Sequence, residues 1–133
     1  MSITYSIDSG NRFIHTRWSG KVTAGDLMRH WQELFNDPQA LEIRRSIADM
    51  REASLEFDGA QLRDVIRSVA QPLLRGQKWT VALLVKKPEQ YGTSRQFQVF
   101  AEQVATNSIF YDYDEAVRWL VDQPRSPEPS HAA

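Results

Sequence analysis

A continuous apolar run near the middle of the chain constrains the fold more than any other feature. The run extends from Trp79 to Val85 and lies between Lys78 and the segment Lys86-Lys87-Pro88. A half-buried strand alternates apolar and polar residues, whereas this run does not, so both of its faces must be covered. It is also too short to cross a membrane as a helix. The run therefore predicts a central strand of a parallel or mixed sheet.

The amino-terminal segment has the pattern of a β-hairpin. Ile3, Tyr5 and Ile7 alternate with polar residues, and a second alternating run covers residues 13–18. The turn cluster Ser9-Gly10-Asn11 separates the two runs. Two alternating runs around a short turn predict an antiparallel pair of strands. The segment Ser19-Gly20-Lys21-Val22 breaks the alternation and is expected to end the second strand.

Four helices are predicted from capping residues that precede apolar residues at helical spacing. Thr23 and Asp26 form a capping-box pattern before the first helix. Pro38 is expected to end that helix, because proline disfavours helical geometry in the residue before it. Asp58 and Gln61 form a second capping pattern, and the helix that follows is expected to reach residue 70.

The start of the third helix is weakly marked in the sequence, whereas the start of the fourth is clearly marked. Pro72 is expected to end or kink the second helix. The third helix is expected to start between Glu89 and Thr93, where Gly92 makes the start indistinct. Asp112 and Glu115 form a capping signature before the fourth. All four starts carry acidic or polar caps, which suits the helix dipole.

Two further strands complete an alternating pattern of strands and helices. Ile43 to Met50 and Ser108 to Tyr111 occupy the gaps between predicted helices. Right-handed crossovers would make the last four strands parallel. The predicted fold is therefore an α/β domain with a mixed five-stranded sheet, its first strand antiparallel at an edge, and four helices.

Length, charge and composition restrict the function classes. The 133 residues predict one domain over 1–122, while the Pro- and Ser-rich residues 123–133 are expected to be disordered. A net charge of −1 gives no sign of nucleic-acid binding. The chain has no cysteine, which excludes disulfides and thiolate ligands. No signal peptide or spanning segment is recognisable, so we expect a cytoplasmic protein without stable membrane insertion.

Four short motifs occur in an order that resembles a known family. They are Gly20-Lys21-Val22-Thr23, Ala48-Asp49-Met50-Arg51, the segment from Tyr91 to Phe97, and the segment from Phe110 to Leu120. Together they resemble the SpoIIAA-like fold of STAS domains (sulfate transporter and anti-sigma-factor antagonist) and of the lipid-carrying CRAL-TRIO domains. The chain is similar to small bacterial stand-alone STAS-like proteins. The resemblance implies a strand–helix superhelix with its helices largely on one face of the sheet.

The resemblance does not extend to the phosphorylation site of regulatory STAS domains. Those domains carry a phosphorylated serine or threonine at the start of the helix after the third strand. Here that place reads Phe57-Asp58-Gly59, and the nearest hydroxyl is on Ser54. The charge of Asp58 can mimic a phosphoserine, but a helix cap explains the residue with one fewer assumption. CRAL-TRIO domains are also longer than this chain.

The carboxyl ends of the parallel strands are the expected place for a ligand. Charged and aromatic residues follow those ends, and the candidate ligand-binding residues are Asp49, Arg51, Asp58, Lys86, Tyr91 and Arg95, with Lys87, Tyr111 and Asp112 nearby. Cations beside a helix start can hold a carboxylate or a phosphate. The favoured alternative is a structural network in which Asp49 and Arg51 pair with Arg95 or Lys86.

The remaining residues give no catalytic or metal-binding motif. His15, His30 and His131 have no carboxylate at metal-ligand spacing and are expected in surface or packing roles. No serine lies in a Gly-x-Ser-x-Gly motif. We expect no cofactor and no metal. The four tryptophans are interpreted as core or subunit-contact groups, with an aromatic-lined pocket as the alternative; they are Trp18, Trp31, Trp79 and Trp119.

These observations favour a non-enzymatic STAS-like interaction or regulatory module that binds a protein partner. The alternative is a carrier or sensor of a small apolar or anionic ligand, and the third hypothesis is an enzyme that uses Asp49, Arg51 and Arg95. A homodimer is also expected, because Val81 to Val85 is apolar on both faces and Trp18 and Ile109 extend that surface. The competing expectation is that the first or last helix crosses to cover the second face.

Overall fold

A computed structural model of the protein describes residues 2–123. It contains one five-stranded sheet in the order β1-β2-β3-β4-β5, in which β1 is antiparallel to β2 and the other neighbours are parallel. The strands are β1 (Ile3–Asp8), β2 (Phe13–Thr23), β3 (Arg45–Glu56), β4 (Trp79–Leu84) and β5 (Ala105–Phe110). The predicted mixed sheet with an antiparallel edge strand is confirmed. The predicted tail lies outside the described residues, apart from its first residue, Gln123.

Within residues 2–123 the chain forms five helices, so the prediction of four is wrong. They are α1 (Ala24–Leu34), α2 (Pro38–Ile43), α3 (Gly59–Val65, Ile66–Ala70 and Gln71–Leu74 in succession), α4 (Pro88–Phe100) and α5 (Tyr113–Asp122). The missed helix is α2. Pro38 begins it, because the fixed φ of proline suits a first helical turn and the missing N–H costs nothing there. The side chain of Asp37 caps it by accepting from Gln39 N at 3.0 Å.

Two other helix boundaries, each next to a proline, differ from the prediction. The backbone of α3 passes through a π-helical turn at Ile66–Ala70 and continues past Pro72 to Leu74, four residues beyond the expected end. Pro88 is the first residue of α4, ahead of the expected start.

The strand β2 continues through the segment that was expected to end it. Its pairing with β3 shifts register between Arg17 and Ser19, which is a β-bulge, and then resumes to Thr23. Gly20 has a φ of +63°, a conformation that glycine adopts without strain. The extended pairing also makes β3 longer than predicted, since β3 reaches Glu56 rather than Met50.

The predicted helix caps are confirmed. Thr23 and Asp26 form a complete capping box, as do Asp58 and Gln61. The side chain of Asp112 accepts from Glu115 N at 3.0 Å at the start of α5. Each cap satisfies amide groups that the helix itself leaves without a partner.

The two faces of the sheet are covered unequally. On the first face, α1 to α4 pack on strand residues such as Trp18, Ala48 and Val81. On the second face, α5 is the one helix within residues 2–123 that packs on the strands, through Ala116 and Leu120. The central strand is buried on both faces, as predicted. The expectation that no helix covers the second face is wrong. The homodimer was predicted on that expectation, so this argument for it no longer holds, and the homodimer itself stays a prediction.

A buried arginine holds α5 in place at one end. Arg45 lies at the start of β3, and its guanidinium donates to Arg12 O at 2.6 Å, to Asn11 O at 2.9 Å and to Leu120 O at 3.4 Å. The cation thereby joins the β1–β2 turn to the carboxyl end of α5, where the helix dipole favours positive charge. None of the helices in residues 2–123 is both long and apolar enough to cross a bilayer.

Candidate functional site

An open groove of about 540 Å³ lies where α5 leaves the second face uncovered, beside the middle of β3 and just beyond the carboxyl ends of β4 and β5. We call it the strand-end groove. Its lining is Arg17, Trp18, Asp49, Arg51, Glu52, Val85, Lys86 and Tyr111. The position agrees with the general rule that open parallel sheets bind ligands outside the carboxyl ends of their strands.

The best-organised part of the groove is a buried carboxylate with two cationic or polar partners. Arg51 donates to Asp49 through Nε, at 2.9 Å from Oδ1, and through Nη2, at 3.0 Å from Oδ2. His15 Nε2 lies 3.4 Å from the same Oδ2. Both carboxylate oxygens are therefore engaged, and the paired donors fix the plane of the guanidinium.

This arrangement keeps Asp49 ionised. Burial by itself raises the pKa of Asp49, but the hydrogen bonds from His15 and Arg51, together with the arginine charge, outweigh it and hold the pKa far below its ordinary value. The hydrogen bond with Asp49 in turn raises the pKa of Arg51. A carboxylate of such low basicity, with no free oxygen, is suited to orienting Arg51 rather than to taking up a proton.

The first residue of α5 completes this cluster. The guanidinium carbon of Arg51 lies 6.0 Å from the centre of the Tyr113 ring, which is within range of a cation–π contact. The His15 ring meets Tyr113 edge-on, with the ring centres 5.9 Å apart. The start of α5 thus contacts β2 through His15 and β3 through Arg51, which lines the groove.

Two exposed tyrosines stand beside the groove. Tyr91 on α4 and Tyr111 after β5 are stacked, with ring centres 6.2 Å apart and planes 14° from parallel. They are 39% and 60% exposed respectively. We call them the tyrosine pair. Because stacking favours one orientation of the two rings, they lose little conformational entropy when a partner packs against them.

A buried glutamine positions the β4–α4 loop against β3. The Oε1 of Gln90 accepts from Lys86 N at 2.8 Å and Lys87 N at 3.0 Å. Its Nε2 donates to Met50 O at 2.6 Å and to Ala53 O at 2.8 Å. Gln90 is fully buried, and both the oxygen and the nitrogen of its side-chain amide have hydrogen-bond partners. The same bonds hold Lys86 at the groove.

The structure brings together only part of the predicted set. Asp49, Arg51 and Lys86 line the groove, and Tyr91 borders it through Tyr111. Neither of the other two candidates lines it. Asp58 caps α3, where it accepts from Gln61 N at 2.8 Å, and Arg95 donates to Gln98 at 3.2 Å on an exposed part of α4. The predicted partners of Asp49 and Arg51 were Arg95 or Lys86, whereas these two residues pair with each other.

Sequence reasoning missed His15, Arg17 and Gln90. The register of β2 on β3 sets Arg17 beside Asp49 and His15 beside Ile47, which places both polar side chains on the second face. Alternation in β2 indicated that they share a face, but not which strand they would meet. In residues 2–123 no group of three or more His, Asp or Glu side chains is placed to hold a metal ion.

A second, smaller cavity of about 70 Å³ lies on the first face, between the helices and the sheet. We call it the core cavity. Trp18, Trp31 and Trp79 line it, while Trp119 packs on Phe110 on the second face. Three of the four tryptophans thus have both of the roles considered from the sequence, since they are buried in the core and also border a pocket.

Comparison with known proteins identifies the fold. The structure is similar to the crystal structure of an uncharacterised DUF3478-family protein with a SpoIIAA-like fold from Shewanella loihica PV-4. The TM-score is 0.59 and the sequence identity 19%, with 89% of this chain and 91% of that chain covered. No family model matches the sequence, and no curated protein matches it. The chain therefore has a SpoIIAA-like fold, as the resemblance in the sequence implied.

Proposed function

We propose that this protein is a non-enzymatic interaction module, similar to STAS domains, that binds an acidic segment of a protein partner. The segment would lie in the strand-end groove and against the tyrosine pair. The observation that carries the proposal is the pair itself, because two exposed tyrosines are stacked at the edge of a groove that also contains arginine and lysine side chains.

The residue types at this surface support protein binding. Tyrosine, tryptophan and arginine are enriched among the residues that contribute most to protein–protein affinity. Tyrosine combines a large apolar ring with a hydroxyl group, so it contacts both the core and the polar rim of an interface. Arg17 adds a residue of this kind inside the groove.

The charges of the groove favour an acidic partner. The charge of Asp49 is already paired with that of Arg51. Among the described residues, the side chains of Arg17 and Lys86 make no hydrogen bond or ion pair, and Glu52 is the only other acidic residue in the lining. Two available cations therefore face one available carboxylate, and complementary charge speeds and orients association.

The geometry gives less support to the enzyme hypothesis. That hypothesis required Asp49, Arg51 and Arg95 to act together, but Arg95 does not line the groove. Asp49 uses both oxygens in hydrogen bonds and has a strongly lowered pKa, which makes it a poor general base. We therefore propose that Asp49 is a positioning residue for Arg51.

A lipid carrier is also less well supported. The core cavity measures about 70 Å³, whereas pockets for drug-sized ligands have volumes of roughly 300–1,000 Å³. The strand-end groove is large enough for such a ligand, but its lining is mostly charged. An acyl chain would leave those charges without water or partners.

Quantitative affinity capture from the native host tests the proposal. The wild-type chain is compared with Tyr111→Ala, with Lys86→Glu and with the control Val99→Ala, which removes a 68% exposed apolar side chain from α4. We expect a stoichiometric partner that the wild type and the control retain and that both groove variants lose. The purified partner should then bind more weakly as salt concentration rises.

Two results would contradict the proposal. One is a partner that binds the groove variants as well as it binds the control. The other is the absence of any stoichiometric partner when a small anion instead co-purifies with the wild type and is lost in Lys86→Glu. The second result would support the alternative of a small-ligand sensor at the same groove.

A further inference from the structure

The core cavity lies on the first face of the sheet, whereas the strand-end groove opens on the second. Its volume of about 70 Å³ exceeds what one water molecule needs. For scale, water occupies roughly 30 Å³ in the liquid, and an engineered cavity of roughly 150 Å³ binds benzene. The core cavity therefore has room for about three to five non-hydrogen atoms.

Most polar groups around the cavity already have partners. Trp18 Nε1 donates to Thr16 Oγ1 at 3.0 Å, and Trp79 Nε1 donates to Ser46 Oγ at 2.9 Å. The Thr16 hydroxyl in turn donates to Ile47 O at 3.0 Å. The indole groups thus use their polar atoms on neighbours and present apolar rings to the cavity.

Ser94 is the exception. It lines the cavity and is 1% exposed, yet its Oγ has no hydrogen-bond partner among residues 2–123. A serine inside a helix commonly donates back to the carbonyl four residues earlier, which here would be that of Gln90. Ser94 does not do so. A buried hydroxyl without a partner is unfavourable, so a ligand that hydrogen-bonds to it would remove a cost already present in the free protein.

The buried imidazole of His30 also lines the cavity. His30 makes no hydrogen bond among the described residues, and its ring is held edge-on by Tyr5 and Trp18, each with ring centres 6.2 Å away. Burial lowers the pKa of His30 to about 4, so its imidazole is neutral near pH 7. A neutral, mostly apolar lining excludes a charged ligand, which would lose its hydration without gaining a counter-ion.

The lining also indicates where a ligand enters. Phe57, Thr93 and Phe97 are half-buried, whereas every other residue of the lining is buried. Phe57 lies just before α3, and the other two lie on α4. The entrance is therefore between the start of α3 and the middle of α4.

We propose that the core cavity binds a small neutral molecule of about four non-hydrogen atoms, mainly apolar, with one hydroxyl or carbonyl group that hydrogen-bonds to Ser94 Oγ. The size follows from the cavity volume, the neutrality from the lining, and the single polar group from the partnerless serine. The proposal does not depend on the partner at the strand-end groove.

The test uses two probes of similar size and different polarity, xenon and 2-propanol, titrated into isotope-labelled protein and followed by NMR. The variants are Ser94→Ala, which removes the hydroxyl, and the control Ser68→Ala, which removes an exposed hydroxyl on α3. We expect both probes to saturate the wild type and the control, with chemical-shift changes at residues around the cavity. In Ser94→Ala the affinity for 2-propanol should fall by about fivefold, as expected for one lost hydrogen bond, while xenon binds as before.

Each other outcome would overturn the proposal. If neither probe saturates the wild type, the cavity does not admit ligands. If 2-propanol binds Ser94→Ala as tightly as the wild type, the cavity is an apolar void in which the serine has no binding role. If the affinity for both probes falls equally in Ser94→Ala, the serine shapes the cavity without hydrogen-bonding to the ligand, and the assigned role of its hydroxyl is wrong.

Discussion

The two faces of the sheet differ in how completely helices cover them, and this difference determines which face has an open groove at its surface. On the first face, four helices cover the strands and enclose a small cavity whose polar groups mostly bond to one another. On the second face, among the described residues, one helix covers the centre of the sheet and leaves part of β2 and the middle of β3 open. The strand-end groove lies where α5 no longer covers the second face. We therefore place the proposed partner-binding surface on the incompletely covered face.

The largest expected effect tests whether the second face depends on its single helix. Leu120→Ala removes a fully buried side chain of α5 and should lower the free energy of unfolding by about 3 kcal/mol. Leu27→Ala, a matched change on the first face, should cost about as much. Only Leu120→Ala should also shift the NMR signals of His15, because α5 carries Tyr113 against that ring.

Urea unfolding of the two variants and their NMR spectra decide this prediction. Val117→Ala on the same helix is the control, since its side chain is only half-buried. Equal shifts of the His15 signals in both leucine variants would contradict the idea that the groove depends on α5.

The second prediction concerns the buried carboxylate of the groove. Asp49→Asn removes a charge that Arg51 and His15 both contact, and should lower the free energy of unfolding at pH 7 by about 2 kcal/mol. The pKa of Asp49 is lower in the folded than in the unfolded state, so its contribution is present above the unfolded pKa and is lost as pH falls toward the folded one.

The stability gap between wild type and Asp49→Asn should therefore be constant from neutral pH down to roughly pH 4 and narrow below it. Urea unfolding over a series of pH values measures this gap. A gap that widens as the pH falls would show that the sign of the pKa shift is wrong.

The third prediction separates capping from phosphoserine mimicry at Asp58. Asp58→Ala should lower the free energy of unfolding by about 1 kcal/mol, because Asp58 accepts from Gln61 N at 2.8 Å at the start of α3. Partner binding should be unchanged, since Asp58 does not line the groove. We also expect no phosphorylation between Ala53 and Gln61 in the native host.

Thermal unfolding and phosphopeptide mapping check both parts. An unchanged midpoint together with lost partner binding would mark Asp58 as functional. Substantial phosphate on Ser54 would instead indicate a working phosphorylation switch.

The smallest expected effect on stability belongs to the tyrosine pair. Tyr111→Ala should change the free energy of unfolding by less than about 0.5 kcal/mol, because Tyr111 is exposed and contacts mainly Tyr91. The same variant is expected to lose partner binding. Differential scanning calorimetry beside the affinity capture tests this combination, and a large loss of stability would mean that the pair is structural.

Sequence patterns were sufficient for much of the architecture and for half of the site. The apolar run, the helix caps and the alternating amino-terminal segment led to the central strand, the helix starts and the antiparallel edge. Asp49, Arg51, Lys86 and Arg95 were all selected because they were expected near the carboxyl ends of the strands. Lys86 does follow β4, whereas Asp49 and Arg51 lie in the middle of β3, level with the end of β4. Arg95 donates to Gln98 on α4 and does not line the groove.

The sequence by itself determined these features because they depend on local interactions. A cap such as Thr23 with Asp26 acts within one helical turn. The lack of alternation from Trp79 to Val85 indicates that both faces of the strand are buried, but not which elements cover them. Only the tertiary structure decided that α5 crosses to the second face, that Arg17 lies beside Asp49, and that Gln90 joins the β4–α4 loop to β3. Those outcomes depend on strand register and on which layer each helix joins, and both are set by packing between residues far apart in the chain.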